Sequence, residues 1–348
     1  MRKLLLCCAL AFYALQGQTS SKQVGQGVQI TPDEQHQRVD ITIDGQPFTS
    51  YIWPTSLKKP VLFPLVAPGG IDVTRGYPLA PRPGERTDHP HHAGMWFNYG
   101  NVNGFDFWNN SDAIKPENRN KMGTIHHLKI VSTKSGRDRG ELIVESIWTT
   151  GENKDILKET TRYVFTRRQD ARVIDRITTL QALDRVVFHD DKEGLLGIRV
   201  ARWLESTNEK GGTFTDANGT PTKVEGASGA GATGVYLTSE GKKGDDAWGT
   251  RGRWCILTGS TENHTVTIAI LDHPKNPGYP TYWHARGYGL FAANPLGQKI
   301  FQLNGPAFDF TLEQNQTATF RYRVMLLSHA AQPEEMNRET EAFDKEYR

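Results

Sequence analysis

Leu157-Lys-Glu-Thr-Thr-Arg-Tyr-Val-Phe-Thr-Arg167 is rich in β-branched and aromatic residues, which favour strands. Arg168-Gln-Asp170 follows as a polar turn, and Ala171-Arg-Val-Ile-Asp-Arg-Ile-Thr-Thr-Leu-Gln-Ala-Leu183 has the same character as the first run. Two long strand patterns joined by a short turn predict an antiparallel hairpin. This hairpin is the starting point for the fold prediction.

Similar runs, several of them separated by turn residues, occur along most of the chain. They predict further strands at 38–44, 48–53, 124–132, 141–149, 195–203, 234–238, 252–259, 264–271, 287–293 and 317–327. Only residues 333–347 have a convincing helical pattern, with acidic residues in the first turn and basic residues at the end. We therefore predict an all-β fold, a large antiparallel β-sandwich with a short C-terminal helix.

The N-terminus has the pattern of an export signal. Arg2 and Lys3 precede an apolar run that is too short to span a membrane, and a small, polar segment follows. We expect residues 1–20 to be a signal peptide, residues 21–348 to form one domain, and the protein to be periplasmic or secreted. After signal removal Cys255 is the only cysteine, so the sequence predicts no internal disulfide.

Charge and composition exclude several classes of partner. The chain has 41 basic and 39 acidic residues and a net charge of +2, and it contains no nucleic-acid-binding motif. No segment after the signal is apolar enough to cross a bilayer. We therefore expect neither a nucleic-acid partner nor a membrane span, and the sequence does not predict an oligomeric state.

The segment Asp88-His-Pro-His-His-Ala-Gly-Met-Trp-Phe-Asn-Tyr-Gly100 is the most unusual in the chain. It holds three of the 11 histidines, and it is followed by aromatic residues that continue to Trp108. Clustered imidazoles bind metals or exchange protons near neutral pH, and aromatic faces bind apolar surfaces such as those of sugar rings. This pattern predicts a binding or catalytic site, without specifying the reaction.

Three other segments carry unusual residues, and we expect all four to lie in long loops around one cleft. They are His126-His127, the segment from His189 to Trp203 that contains Glu193, and the segment from Leu271 to Gly297 that contains Trp283-His-Ala-Arg286. We expect Asp190 and Asp191 to form a solvated charge cluster.

Together these segments resemble the bacterial PmoA family, also labelled methane oxygenase PmoA. The resemblance rests on His-Pro-His-His, Asn-Gly-Phe-Asp-Phe-Trp, Lys-Glu-Gly before Gly-Ile-Arg-Val-Ala, and Tyr-Trp-His-Ala-Arg, and it covers roughly residues 35–330. It implies an exported protein of a carbohydrate-degrading bacterium, but no particular reaction. The size and the order of β elements are also similar to those of the galactose-mutarotase-like super-sandwich, which implies a fold and not a function.

Residue chemistry gives the candidate roles. Glu193 lies at a strand entrance, where it is expected to act as a general base with a histidine as the acid. We predict that the catalytic residues are His91, His92, Glu193 and His284. We predict that the substrate-binding residues are His89, Trp96, Asn103, Trp108, Arg199, Trp283 and Arg286.

A metal is the main alternative for the histidines. His89 and His91 project to the same side of an extended segment and would be able to share one divalent ion, although no third ligand is evident. His189-x-Asp191 also matches part of a two-histidine-one-carboxylate iron site. The metal therefore stays open, with one divalent ion as the expected cofactor if there is one.

We predict a carbohydrate-active enzyme that uses histidine and glutamate for proton transfer in hydrolysis, elimination or epimerisation of a sugar. Two alternatives remain from the sequence. The first is a glycan-binding module without catalysis, in which the histidines are structural. The second is a metal-dependent oxygenase, as the PmoA label implies.

Overall fold

The structure is a computed structural model that describes residues 25–207, 211–215, 220–224, 231–261, 263–302 and 305–348. The predicted signal peptide at 1–20 lies outside the described residues. The strands, in chain order, are β1 (Val28–Asp33), β2 (Arg38–Ile43), β3 (Gln46–Ile52), β4 (Val61–Leu62), β5 (Val66–Ala67), β6 (Ile71–Asp72), β7 (Met95–Tyr99), β8 (Gly123–Lys134), β9 (Arg139–Thr150), β10 (Asp155–Arg167), β11 (Ala171–Ala182), β12 (Val186–Phe188), β13 (Gly194–Arg199), β14 (Gly212–Thr215), β15 (Pro221–Val224), β16 (Val235–Thr238), β17 (Trp254–Ser260), β18 (Thr265–Asp272), β19 (Tyr282–Arg286), β20 (Leu290–Asn294), β21 (Phe310–Leu312) and β22 (Thr317–Leu327).

Helical structure is sparse. The α-helix α1 spans Pro333–Glu346 near the C-terminus, as the sequence predicted. Short 3-10 helices lie at Glu34–His36, Pro116–Lys121, Arg202–Leu204 and Gly244–Ala247. No helix in the described part of the chain is long and apolar enough to cross a membrane.

Two eight-stranded antiparallel sheets form the body of the protein. The first has the strand order β1-β2-β3-β4-β7-β13-β20-β19, and the second has the order β16-β17-β18-β22-β11-β10-β9-β8. The predicted hairpin is β10–β11, in which Leu157 pairs with Ala182 and Arg167 with Arg172. The prediction of a large antiparallel β-sandwich with a short C-terminal helix is confirmed.

The main core lies between the two sheets. Side chains alternate between the faces of a strand, so every second residue of each sheet points into this layer. Phe97, Leu196 and Phe291 of the first sheet and Ile268 and Phe320 of the second belong to the same buried apolar cluster. The remaining residues of each strand point to the outer face, where the two sheets are covered differently.

Helix α1 covers the outer face of the second sheet. Met336 and Phe343 of the helix pack in one buried cluster with Val173, Trp254 and Met325 of the sheet. Loops cover the outer face of the first sheet, where the buried cluster consists of Val61, Trp96, Trp108, Leu290 and Ala292.

Two segments that we expected to be loops contain strands of the first sheet, a central strand and an edge strand. Met95–Tyr99 is β7 and Tyr282–Arg286 is β19, and all five residues of β7 are buried. A strand buried on both faces has no alternation of apolar and polar residues, so the sequence pattern does not reveal it. The candidate residues beside these strands are therefore held by the sheet itself.

Candidate functional site

The floor of the site is one row of residues on the outer face of the first sheet. Gly197 of β13 pairs with Trp96 of β7 on one side and with Ala292 of β20 on the other, and Ala292 pairs with His284 of β19. A Cβ atom at Gly197 would lie 2.6 Å from the Trp96 ring. The Trp96 indole therefore lies across the glycine, and the small residues leave room above the middle strands.

Two buried arginines hold the histidine loop onto this floor. The Arg75 guanidinium donates to the main-chain oxygens of His89 and His92 at 2.9 and 3.0 Å and to Asp88 Oδ1 at 2.8 Å. The Arg199 guanidinium donates to the same Asp88 oxygen at 2.7 Å. Burial raises the pKa of Asp88, but His89 and the two guanidinium groups outweigh it and hold this pKa well below its usual range. Asp88 is therefore the anionic anchor of the loop.

Four aromatic rings form a stacked column above the floor. The ring of Tyr288 stacks on His89, His89 on His92 and His92 on Trp96, with centroid separations of 5.4, 4.9 and 5.1 Å. The neighbouring planes differ by 4°, 3° and 15°. His91 lies edge-on to this column, 4.3 Å from the His92 centroid.

His92 has both ring nitrogens engaged. Trp108 Nε1 donates to His92 Nε2 at 3.1 Å, and Arg199 Nη1 lies 3.3 Å from His92 Nδ1. Burial, followed by the charge of His91 and Arg199, holds the pKa of His92 well below its usual value, so the ring is neutral. Trp108 Nε1 and the Arg199 guanidinium are both donors, and a neutral imidazole has only one acceptor nitrogen, so His92 accepts a hydrogen bond from one of them at a time. The shorter contact is the one with Trp108.

His91, in contrast, has an unused nitrogen. His91 Nε2 is buried and has no hydrogen-bond partner among the described residues. Burial, followed by the nearby charge of Lys59, lowers the pKa of His91 to about 2, so the imidazole is neutral at physiological pH. The Lys59 amine donates to the main-chain oxygen of His91 at 2.8 Å and fixes the backbone there. A buried polar atom without a partner is costly, and a ligand in contact with it removes that cost.

A cavity of about 440 Å³ lies next to these rings. Its lining includes His89, His91, His92, Lys192, Glu193 and Tyr288. The histidine loop and the loop before β13, about 100 residues apart in sequence, therefore meet at one cavity. Of the three residues that we expected to share one cleft, His91, Glu193 and His284, the first two line this cavity and His284 does not.

The Glu193 carboxylate is partly buried, and Lys192 and His284 lie next to it. Its Oε1 lies 3.3 Å from Lys192 Nζ, and burial raises its pKa. His284 Nδ1 donates to the main-chain oxygen of Lys192 at 3.0 Å and lies 3.7 Å from Glu193 Oε2. Burial, followed by the charge of Arg286, lowers the pKa of His284 to about 3. His284 thus anchors the loop that presents Glu193, and the cavity lining does not include it.

The expected solvated cluster at Asp190 and Asp191 is not found. Asp190 Oδ2 accepts main-chain N–H groups of Gln298, Lys299 and Phe308 at 3.0, 2.7 and 2.9 Å. Asp191 Oδ1 accepts the N–H of Glu193 at 2.9 Å. Both carboxylates organise loops, because buried main-chain donors need acceptors that no strand supplies there.

Three predicted binding residues lie elsewhere. Trp96 and Trp283 have no exposed surface and pack in the apolar clusters, so neither offers a face to a sugar. Asn103 is exposed in a turn with φ of +53°, where it donates to the Arg185 main chain at 3.0 Å and accepts from Val187 N–H at 2.7 Å. Trp96 and Trp283 are therefore core residues, and Asn103 stabilises a turn.

The other predicted binding residues lie at or near the cavity. Trp108 and His89 line it, and Arg199 is fully buried beneath Tyr288, with 4.9 Å from its guanidinium carbon to the ring centroid. Arg286 is exposed and lines a neighbouring cavity of about 820 Å³.

The residues do not assemble a metal centre. In the part of the chain that the structure describes, no group of three histidine, cysteine, aspartate or glutamate side chains is placed to hold an ion. His89 and His91 have ring centroids 5.6 Å apart, and His189 Nδ1 lies 3.4 Å from Asp309 Oδ2 instead of joining Asp191 at a common site. The histidine and carboxylate arrangement predicted for iron therefore does not fit the described residues.

A family model covers most of the sequence. It matches residues 38–341, and its description is "Family of unknown function (DUF6807)". The chain belongs to the DUF6807 family. No curated protein matches the sequence. The resemblance to the PmoA family stays a prediction, since the family that matches carries no such description.

Solved structures similar to this DUF6807 member include several proteins named for sugars. Galactose 1-epimerase from Lactobacillus acidophilus NCFM is 10% identical with a TM-score of 0.39, and the alignment covers 88% of this chain and 100% of the epimerase. A galactose mutarotase-like protein from Lactobacillus casei ATCC 334 is 10% identical with a TM-score of 0.34, over 86% and 100% of the two chains. The GH36 alpha-galactosidase AgaB from Geobacillus stearothermophilus is 12% identical with a TM-score of 0.38, over 87% of this chain, which spans 41% of AgaB.

Several residues that build the site carry no recognisable sequence signal. Arg75, Lys59 and Tyr288 lie in ordinary-looking segments, yet they hold the histidine loop, fix His91 and close the ring column. Of these three residues, Tyr288 directly follows Arg286-Gly287, within the unusual segment from Leu271 to Gly297.

Proposed function

We propose that this DUF6807 member is an exported, carbohydrate-active enzyme that transfers protons at a sugar bound in the cavity beside His91 and Glu193. One observation carries the proposal. A neutral imidazole with an unpartnered Nε2 and a carboxyl of raised pKa line the same cavity. Pairs of titratable groups whose environments shift their pKa values are typical of acid–base catalysts.

The chemistry of His91 favours a hydroxylated substrate. A neutral imidazole presents either an N–H or a lone pair at Nε2, depending on its tautomer. A hydroxyl group both donates and accepts, so it satisfies Nε2 in either state and can exchange a proton with it. His89 and Tyr288, whose rings stack on each other, also line this cavity and border the polar groups.

The pKa directions assign the two roles differently from the sequence prediction. The low pKa of His91 leaves the ring neutral at neutral pH, with a nitrogen lone pair that can accept a proton, although it also makes the ring a weak base. Burial raises the pKa of Glu193, which favours its protonated form relative to that of an exposed glutamate. In this scheme His91 takes the proton of a substrate hydroxyl while Glu193 gives its proton to another substrate oxygen. In an epimerisation, the bond between the carbon that carries this hydroxyl and the protonated oxygen breaks as a carbonyl forms. Closure on the other face of the carbonyl, with the reverse proton transfers, restores both groups and leaves no net proton consumed.

Glu193→Gln tests the proposal. The amide keeps the shape of the side chain but neither gives nor takes the proton, so turnover should fall about 10²–10⁴-fold, the range usual for general acid–base catalysis. The assay uses a sugar found by screening for turnover by the wild-type protein. Glu313→Gln is the matched control, because Glu313 is exposed and pairs with Arg185 outside the cavity. Unchanged turnover in Glu193→Gln contradicts the proposal.

The glycan-binding module remains the second candidate, and one observation favours it. The exposed Arg286 guanidinium and the Trp248 and Tyr288 rings offer binding surface in a cavity that does not include Glu193. Wild-type protein that binds sugars and turns none of them over would establish the module in place of the enzyme. Export itself is tested by N-terminal sequencing of the protein recovered from the periplasm or the medium.

A further inference from the structure

Tyr288 separates two cavities on the outer face of the first sheet. One side of the site is the cavity of about 440 Å³ with His91 and Glu193, and the other side is the cavity of about 820 Å³ with Arg286. Tyr288 lines both of them. Asp88 lines the larger cavity while its neighbour His89 lines the smaller one. The two cavities are therefore neighbours on either side of the Tyr288 side chain.

Two aromatic rings line the larger cavity, and the guanidinium group of Arg286 lies close to both of them. The guanidinium carbon of Arg286 lies 5.5 Å from the Trp248 ring centroid and 5.9 Å from that of Tyr288. Both rings are half-buried, and Trp248 Nε1 is a buried donor with no partner among the described residues. Rings that lie under a planar guanidinium restrict its orientation.

The Arg286 charge has no counter-ion in the described part of the chain, where no carboxylate lies within ion-pair distance of it. Two of the three other charged residues that line this cavity are already paired. Asp88 is bonded to Arg75 and Arg199, and Arg86 is bonded to Glu205. The third, Asp245, is exposed and has no ion pair among the described residues. The planar fork of an arginine matches a carboxylate through two parallel hydrogen bonds.

We propose that the cavity beside Arg286 is a second sugar-binding subsite, and that the substrate is an oligosaccharide with a uronic acid unit whose carboxylate binds Arg286. The inference rests on the proposed function, since it takes the smaller cavity as the place where the neighbouring sugar reacts. The Trp248 and Tyr288 rings bind the apolar face of the acidic unit, and the glycosidic linkage crosses Tyr288.

Matched pairs of ligands test this subsite. Each uronic-acid-containing oligosaccharide of a panel is compared with its carboxyl-reduced form, in which CH₂OH replaces the carboxylate. Calorimetry on the full-length mature protein should show that at least one acidic member binds about 10-fold or more tightly than its reduced partner, as expected for charged hydrogen bonds. Equal affinity within every pair, or no binding of any acidic member, overturns the proposal.

Variants of Arg286 test whether this residue causes the preference for the acidic ligand. Arg286→Gln should remove the preference for the acidic form, and Arg286→Lys should keep only part of it, because an ammonium is a point charge without the fork. Arg185→Gln, at an exposed arginine that pairs with Glu313, should keep it fully. An undiminished preference in Arg286→Gln overturns the proposal.

The proposed catalysis and the subsite fail in different ways. Glu193→Gln should lose turnover and keep the preference for the acidic ligand. If Glu193→Gln keeps its turnover while Arg286→Gln loses the preference, the catalytic assignment is wrong and the subsite stands. If Glu193→Gln loses turnover while the preference is absent from the wild type, the subsite is wrong and the catalytic assignment stands.

Discussion

The outer faces of the two sheets bury charged groups in opposite ways. Under helix α1, on the second sheet, Arg323 binds Asp175 through two hydrogen bonds of 2.6 and 2.8 Å and also binds Glu346 at 2.7 Å. The hydroxyl of Tyr347 donates to the same aspartate at 3.0 Å. Under the loops of the first sheet, His91 keeps an unpartnered nitrogen beside a cavity.

The difference follows from what covers each sheet. A helix satisfies its own main-chain groups and covers the sheet with side chains, which leaves a closed layer. Loops do not satisfy their own main chain, so buried arginines and aspartates must do it, as Arg75 does for His89 and His92. The loop-covered face therefore contains the polar side chains and the cavities that a catalytic site needs.

The largest expected effect is the loss of turnover in a variant of the loop-covered outer face of the first sheet. His91→Asn should reduce turnover about 10²–10⁴-fold while leaving the free energy of unfolding nearly unchanged, since the Lys59 bond is to the main chain at that position. Activity assays and urea unfolding on the same preparation check both parts. A large loss of stability together with the loss of turnover would contradict the contrast between the faces.

On the outer face of the second sheet, which helix α1 covers, a substitution should reduce stability and leave turnover unchanged. Arg323→Met leaves Asp175, which has no exposed surface, as a buried charge without its main partner, and should cost about 3–5 kcal/mol in the free energy of unfolding. Turnover per folded molecule should stay at the wild-type value. Arg323→Met combined with Asp175→Asn should recover part of the stability, because the unpaired charge is then removed. No recovery in the double variant would mean that lost packing, and not the buried charge, sets the cost.

Gly197→Ala tests how tightly the aromatic rings pack on the floor of the site. The added Cβ would lie 2.6 Å from the Trp96 ring and 3.1 Å from the Trp108 ring, so both rings must move. Overpacking of this kind costs about 1–3 kcal/mol. We also expect turnover to fall, since Trp108 is held by His92, next to His91. Unfolding experiments and assays measure the two effects, and wild-type values for both would show that the ring column adapts freely.

The pH dependence of stability should have opposite signs at two buried groups, His91 and Asp272, with effects of at most about 1.4 kcal/mol per pH unit for each group. The folded pKa of His91 is about 2 against a usual 6.5, so between these values the unfolded chain binds more protons. Its contribution therefore lowers stability as the pH falls below about 6.5. His91→Asn should flatten this slope, which unfolding measurements from pH 4 to 7 detect.

Asp272, at the end of β18, should act in the other direction. Burial raises its pKa from 3.8 to about 7, so the folded chain binds more protons between these values and stability falls as the pH rises from 4 to 7. Asp272→Asn should remove that decline, while its absolute stability also changes because Asp272 accepts hydrogen bonds from Asn276 and Thr281. Parallel slopes in the wild type and this variant would contradict the assignment.

The sequence by itself predicted the antiparallel β fold, the C-terminal helix and several of the residues that line the candidate cavity. Strand patterns such as 157–167 and 171–183 depend on local alternation and turn residues, and these predicted the hairpin β10–β11 and helix α1 correctly. The rarity of histidine pointed to His91, and the strand entrance pointed to Glu193. Both line one cavity.

Tertiary structure alone decided which of these side chains are free. Trp96 and Trp108 lie in similar aromatic segments and both are fully buried in one apolar cluster, but only Trp108 also borders the cavity. His91 and His92 are neighbours in sequence, yet only the fold gives His92 two partners and His91 Nε2 none. Strand patterns are local, whereas burial, partners and pKa are set by residues that are distant in sequence, so the chemistry of the site follows from the packing of the first sheet.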